Sequence, residues 1–197
     1  MTLRSTAAAI AALLLLPSCS STASQASSHH HRADSQKPVS PLTDTAAPVP
    51  TGSLPPGSCR ASSLDPNTTH PDPRCTPGAL NPAVMQANIH QTVCVPGYTK
   101  TIRPPVTYTD ALKRQQIREY GYTDTNPRDY EEDHFIPLSL GGAPRDSHNL
   151  WPEPGNPNPK DDVEFKLYKA VCAGTVTLAA AQKAIMTDWT TAEQIIR

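Results

Sequence analysis

Apolar positions are spread unevenly along the chain, and their spacing divides it. A short apolar run over 7–16 follows Arg4 and is too short to stay in a bilayer as a permanent helix. From 20 to about 56, Ser, Thr, Ala and Pro succeed one another with no apolar period, so no buried face can form and the segment reads as an extended tether. Over 75–105, Pro77, Pro82, Pro96, Pro104 and Pro105 predict loops and short extended pieces that pack as a wrapping. Periodicity begins at Thr109, which reads as the N-cap of a helix over 110–120, with Asp110 in its first turn and Gly121 as its stop. Residues 130–135 predict a short strand, Gly141 and Gly142 a tight loop, and 149–151 a return strand. Pro152, Pro154, Pro157 and Pro159 are expected to keep the chain irregular until Lys160, where a helix starts with Val163, Leu167, Ala170 and Val171 as its buried stripe. A last helix from Thr177 buries Leu178, Ala181, Ile185 and Trp189 ahead of a frayed tail. The order helix, strand, loop, strand, helix, helix predicts an α+β fold.

Composition sharpens the division. Twenty-two prolines, 37% hydrophobic and 5% aromatic residues leave too little core for one uniform globule of 197 residues. The chain therefore reads as a signal peptide over 1–18, a disordered Ser/Thr/Pro-rich tether over 19–58 and one folded domain over 59–197, with its core at 109–173. A net charge of -1 gives no bulk polycationic character. Between His90 and Arg118, however, Lys100, Arg103, Lys113, Arg114 and Arg118 stand against Asp110 alone; such a patch suits phosphate, and equally a solvated helix face.

Leu16, Pro17, Ser18 and Cys19 resemble the lipobox of bacterial lipoproteins. The resemblance implies a diacylated Cys19 and an exported protein of the bacterial cell envelope, anchored to the membrane through two acyl chains; the alternative is ordinary secretory cleavage that releases the protein. Cys59, Cys75, Cys94 and Cys172 remain, an even number that in an exported chain predicts two disulfides. Three pairings are possible; Cys59–Cys75 with Cys94–Cys172 is favoured because the second bond would tie the segment before the central region to the helix after it. A zinc site is disfavoured by the lack of Cys-x-x-Cys or paired histidines at ligand spacing. The histidines at 29–31 read as a solvated stretch of the tether.

The chemistry-bearing residues cluster after the turn at Asn126 and Pro127, where Asp124, Asp129, Glu131, Glu132 and Asp133 crowd toward His134. Glu132-Asp133-His134 with Ile136-Pro137-Leu138 and Leu140-Gly141-Gly142, then Asn149-Leu150-Trp151-Pro152, then Asn158, resembles the HNH family of nucleases. Asn149 lies fifteen residues after His134 and Asn158 nine further on, the family's spacing. Val171-Cys172-Ala173-Gly174 and Ala181-Gln182 are similar to its bacterial helical extension, so the resemblance covers about 75–189. It implies a small ββα-metal core with a preceding helix, a loop-rich N-terminal wrapping and a C-terminal helical extension.

A phosphodiester repels hydroxide, so its hydrolysis needs a base near phosphorus and a cation for the leaving oxygen. His134 suits the base, since a neutral imidazole can take a proton from water. Asp133 is expected as a hard oxygen ligand of one divalent metal and Asn158 as the second, with Asp161 as the alternative ligand. Asn149 is expected to hold the intervening loop and so aim His134. Arg145 and Lys160 are candidate phosphate contacts. Asn158, where the family commonly has histidine, points to Mg²⁺ or Mn²⁺ rather than Zn²⁺. His148 reads as a loop residue, His90 as surface, and Trp151 and Trp189 as core. The expected function is a divalent-metal-dependent DNA endonuclease of low sequence specificity, as no recognition helix or second DNA-binding domain is present. A non-catalytic cell-surface binding module is the alternative, and a hydrolase of another envelope phosphodiester shares the same site.

Overall fold

A computed structural model describes residues 52–155 and 157–196. The signal segment, Cys19, the histidines at 29–31 and most of the expected tether lie outside the described residues. The last tether residues are tied down: Leu54 N–H donates to Glu119 Oε1 at 2.8 Å, and Gly57 N–H to the Arg118 carbonyl at 3.0 Å. The folded part therefore begins ahead of the boundary expected at 59.

The regular elements are α1 (Tyr98–Ile102), α2 (Val106–Glu119), β1 (Tyr130–His134), β2 (Leu150–Pro154), α3 (Lys160–Cys172) and α4 (Leu178–Asp188). Short 3-10 segments lie at Gln86–Gln91, Pro127–Asp129, Leu138–Leu140 and Trp189–Ile195. Helices around one two-stranded antiparallel sheet make the fold α+β. Among the described residues no helix is long and apolar enough to cross a membrane.

Four local outcomes differ from expectation, each for a physical reason. The wrapping over 75–105 contains α1 and a 3-10 segment, because Gly97 at φ 85° turns the chain into one helical turn before Pro104 stops it. Helix α2 starts at Val106, not after Thr109, since Pro105 pre-sets its φ and accepts from Tyr108 N–H at 2.9 Å. Its stop is as expected: at Gly121, φ 64°, Gly121 N–H bonds the Arg118 carbonyl and Tyr122 N–H that of Ile117, the paired bonds of a Schellman end. The tail from Trp189 is a 3-10 helix, because Asp188 caps it by accepting from Thr190 N–H at 2.9 Å and Trp189 and Ala192 are buried.

Strand β2 is the fourth difference, for it includes Pro152 and Pro154. Its register pairs Pro154 with Tyr130, Pro152 with Glu132, and Trp151 with Asp133. Only alternate residues of an antiparallel strand donate toward their partner. Phe135 N–H bonds the Asn149 carbonyl at 2.8 Å, which puts the ladder bonds on the odd-numbered pairs. Both prolines then fall where no inward N–H is needed, on a strand with an open edge.

The core gathers Ile102, Trp151, Leu167, Val171, Ile185 and Trp189, all nearly inaccessible, and α2 closes over the sheet through Tyr108, Leu112 and Leu150. Cys59 is joined to Cys75, and Cys94 to Cys172 across 78 residues. The second bond fixes the wrapping to the end of α3. Inside the first loop, Asp72 accepts from Arg60 N–H at 2.8 Å and from the Arg74 backbone and guanidinium. The guanidinium hydrogen bond and these N–H groups, against the opposing effect of burial, hold its pKa down at about 2.

A folded-state pKa below the unfolded value stabilises above the unfolded pKa, and the gain is lost as pH falls through the folded one. Because Arg74 is largely exposed, water screens its share of the effect. Asp72→Asn is expected to cost about 1–2 kcal/mol at pH 7. The gap to wild type should narrow as pH falls from 4 toward 2, read by urea unfolding across that range; a constant gap would show that the carboxylate charge is irrelevant there.

Candidate functional site

The site is built where β1 ends. His134, its last residue, is 4% exposed, and its Nε2 lies 3.0 Å from the Pro144 carbonyl. A carbonyl only accepts, so Nε2 carries the hydrogen. Burial pushes the ring's pKa down to about 4, against the Pro144 bond and the Asp133 charge. At neutral pH the imidazole is therefore uncharged, with Nδ1 bearing the basic lone pair.

Asn149 fixes the loop that carries Pro144. Fully buried, it accepts from Ile136 N–H at 2.9 Å and donates to the Ile136 and Ala143 carbonyls at 3.0 and 3.1 Å. Gly142 lies against the same knot: a Cβ there would sit 1.8 Å from the Ile136 carbonyl oxygen. Asn149→Ala would leave these three backbone groups buried and unpaired, and should cost about 2–3 kcal/mol by urea unfolding. A loss below ~1 kcal/mol would mean the loop is held by other contacts.

In front of His134 lies a cleft of about 100 Å³. Glu131, Asp133 and His134 reach it from β1, Asp161 and Glu164 from α3, Thr99 and Arg103 from α1, and Ser139 from the loop. Behind it stands Lys160, 1% exposed, whose Nζ donates to Asp133 Oδ2 at 2.6 Å, to the His134 carbonyl at 3.3 Å and to Glu164. Burial alone would raise Asp133; the Lys160 charge and hydrogen bond hold its pKa below the usual range. Burial and the Asp133 charge instead push Glu153 well up, its two carboxyl oxygens being buried with no hydrogen-bond partner among the described residues. Burial also pushes Glu164 up to about 8, and raises Glu131 and Asp161, where Asp133 is the next cause.

Of the residues expected from sequence, Asp133, His134 and Asp161 share the cleft, and Asn149 supports it from behind. Asn158 is not among the residues lining it: its Oδ1 accepts from Lys160 N–H at 2.9 Å at the start of α3, and its Nδ2 is buried with no partner among the described residues. Lys160 is corrected as a phosphate contact, because its ammonium is buried and engaged by carboxylates. Arg145 lies apart from the cleft, its guanidinium 5.7 Å from the Tyr108 ring centroid. Nor does the whole acidic run converge on His134. Asp124 and Asp129 bond Asn126 in the turn, and Glu132 is buried on the Lys113 side of the strand with its pKa raised by that burial. Arg103 belongs to the basic patch noted in the sequence, while Glu153 and Glu164 are residues that the sequence did not single out; the spacing of Glu164 from Lys160, one helical turn, is the available signal.

Among the described residues no three His, Cys, Asp or Glu side chains converge as a cage for an ion. The donor chemistry nevertheless fits Mg²⁺ or Mn²⁺: the cleft is walled by carboxylates, and Mg²⁺ is commonly held by one or two of these with water and substrate phosphate completing its shell. Asp133 and Asp161, the second being the alternative ligand expected from sequence, both line the cleft and would be the residues to hold it, whereas Asn158 is not among its lining residues.

Comparison of the chain with protein-family profiles, with curated proteins and with solved structures gives no match.

Proposed function

We propose that the protein is a divalent-metal-dependent endonuclease of the HNH, ββα-metal kind, hydrolysing DNA phosphodiester bonds with low sequence specificity. One observation carries this reading: a buried, neutral histidine with its Nε2 hydrogen committed to a backbone carbonyl, opening onto a carboxylate-lined cleft where two strands meet the next helix. Nδ1 of His134 takes the proton of the attacking water. Pro144 fixes the ring's tautomer, and Asn149 fixes Pro144. Arg103 offers the substrate phosphate a charged donor at the cleft. Lys160 holds Asp133 in place, and Asp133 with Asp161 would hold Mg²⁺ or Mn²⁺. The ion, when bound, supplies positive charge to the leaving oxygen. The same reading puts the protein in the bacterial cell envelope, lipid-anchored through Cys19; the lipobox-like sequence and the two disulfides support export.

The test follows supercoiled plasmid incubated with the protein in Mg²⁺, Mn²⁺ or EDTA. Relaxation and linearisation with either metal and none in EDTA is the expected result. No cleavage by folded protein in either metal, or equal cleavage in EDTA, overturns the reading. A second reading, a non-catalytic cell-surface binding module on the same scaffold, is favoured by one observation: the Lys160 ammonium already places a cation against Asp133.

A further inference from the structure

A second cleft, of about 290 Å³, adjoins the first and shares Thr99, Ser139, Asp161 and Glu164 with it. Its outer walls are of another character, with Val95 on one side and the α3 rings Phe165 and Tyr168 on the other. Phe165 is 59% exposed, and Tyr168 lies one turn on with ring centroids 6.4 Å apart, so the two rings form one aromatic surface. Cations border these walls: Lys169 Nζ stands 5.4 Å from the Phe165 ring centroid, and Arg103 lies at the far end, in the first cleft.

We propose that this cleft seats one unpaired base of a DNA strand, stacked on Phe165, beside the scissile phosphate held in the first cleft. The inference rests on the nuclease reading for what lies next door. The occupant follows from the chemistry of the walls. A flat uncharged group with an anion on either side matches an apolar wall bounded by Lys169 and Arg103, and a nucleotide strand carries that alternation along its length. The volume lies near the lower end of the range for small-ligand pockets and has room for a base. In a duplex both faces of each base are covered by its stacked neighbours, so a base reaches Phe165 only from a single strand or by flipping out. Single-stranded DNA is therefore the preferred form, and Phe165 is a specificity-determining residue of the substrate site.

The test measures fluorescence anisotropy of one labelled oligonucleotide, single-stranded and annealed to its complement, with the full chain in Mg²⁺. All proteins carry His134→Gln so that nothing is cut. Phe165→Ala is expected to weaken single-strand binding roughly ten-fold, as for loss of one stacking platform, and to leave duplex binding unchanged. Phe165→Trp should restore it. Equal weakening on both forms, no weakening, or no preference of the Phe165 protein for the single strand overturns the proposal. The nuclease reading is judged separately by plasmid cleavage with wild type: binding that depends on Phe165 without cleavage leaves this inference standing and removes that one.

Discussion

Lys160→Met is expected to destabilise the fold by about 3–5 kcal/mol, the range for removing one partner from a buried ion pair. The ammonium is 1% exposed, and Asp133 is 12% and Glu164 15% exposed, so water replaces little of what is lost. Burial opposes the charge on Lys160, yet the Asp133, Glu164 and Glu153 carboxyls hold its pKa well above the ordinary value. With methionine there, the negative charge on Asp133 loses its counter-charge, and the His134 carbonyl loses a donor. Volume is nearly preserved, so the measured loss reports electrostatics and hydrogen bonding, not a cavity. Equilibrium urea unfolding in metal-free buffer reads the effect. Adding Glu164→Gln to Lys160→Met should change little, because Glu164, pushed up to about 8 and further still without the ammonium, is already largely protonated at neutral pH. A loss below ~1 kcal/mol would show that the carboxylates do not depend on the ammonium.

Lys160 also marks where sequence reading stops. A lysine after four prolines and ahead of two aspartates looks like the solvated start of a helix, and nothing within a few residues reveals that β1 delivers Asp133 to it. Burial of this kind is set by the meeting of distant segments. The same holds for Thr99 and Arg103, which enter the cleft from a five-residue helix hidden among prolines and from the residue that ends it. What was legible depended on local or periodic chemistry. The stripe of Val163, Leu167, Ala170 and Val171 is buried as the 3.6-residue period requires. Asn149 between two strand signals holds the loop, and the disulfides pair as favoured. Pro152 and Pro154 were misread because proline was weighed alone; their two-residue spacing fits the donor-free positions of an antiparallel strand. Asn158 was placed by spacing alone, whereas its short side chain turns to the nearest N–H at the start of α3.

His134→Ala should lower the rate of DNA cleavage by about 10²–10⁴-fold, the share of a positioned general base. The argument starts from protonation. With the pKa near 4 the ring is neutral across the physiological range, and the Pro144 carbonyl favours the tautomer with its hydrogen on Nε2 and the basic lone pair on Nδ1. Alanine removes the base, but it also strips Pro144 of its donor in a buried place, and reduced activity alone could then reflect a loosened loop. His134→Gln separates the two effects. Its amide can keep a donor toward the Pro144 carbonyl but cannot take a proton from water, so it should unfold in urea like wild type and cleave as poorly as alanine. Single-turnover rates on a short DNA substrate in Mg²⁺, alongside urea curves for both variants, give the result. A glutamine protein that folds normally and cuts within about ten-fold of wild type would remove His134 as the base. The carboxylate-lined cleft would then need another proton acceptor, and Glu131, the partly exposed carboxylate beside Asp133, is the next to replace.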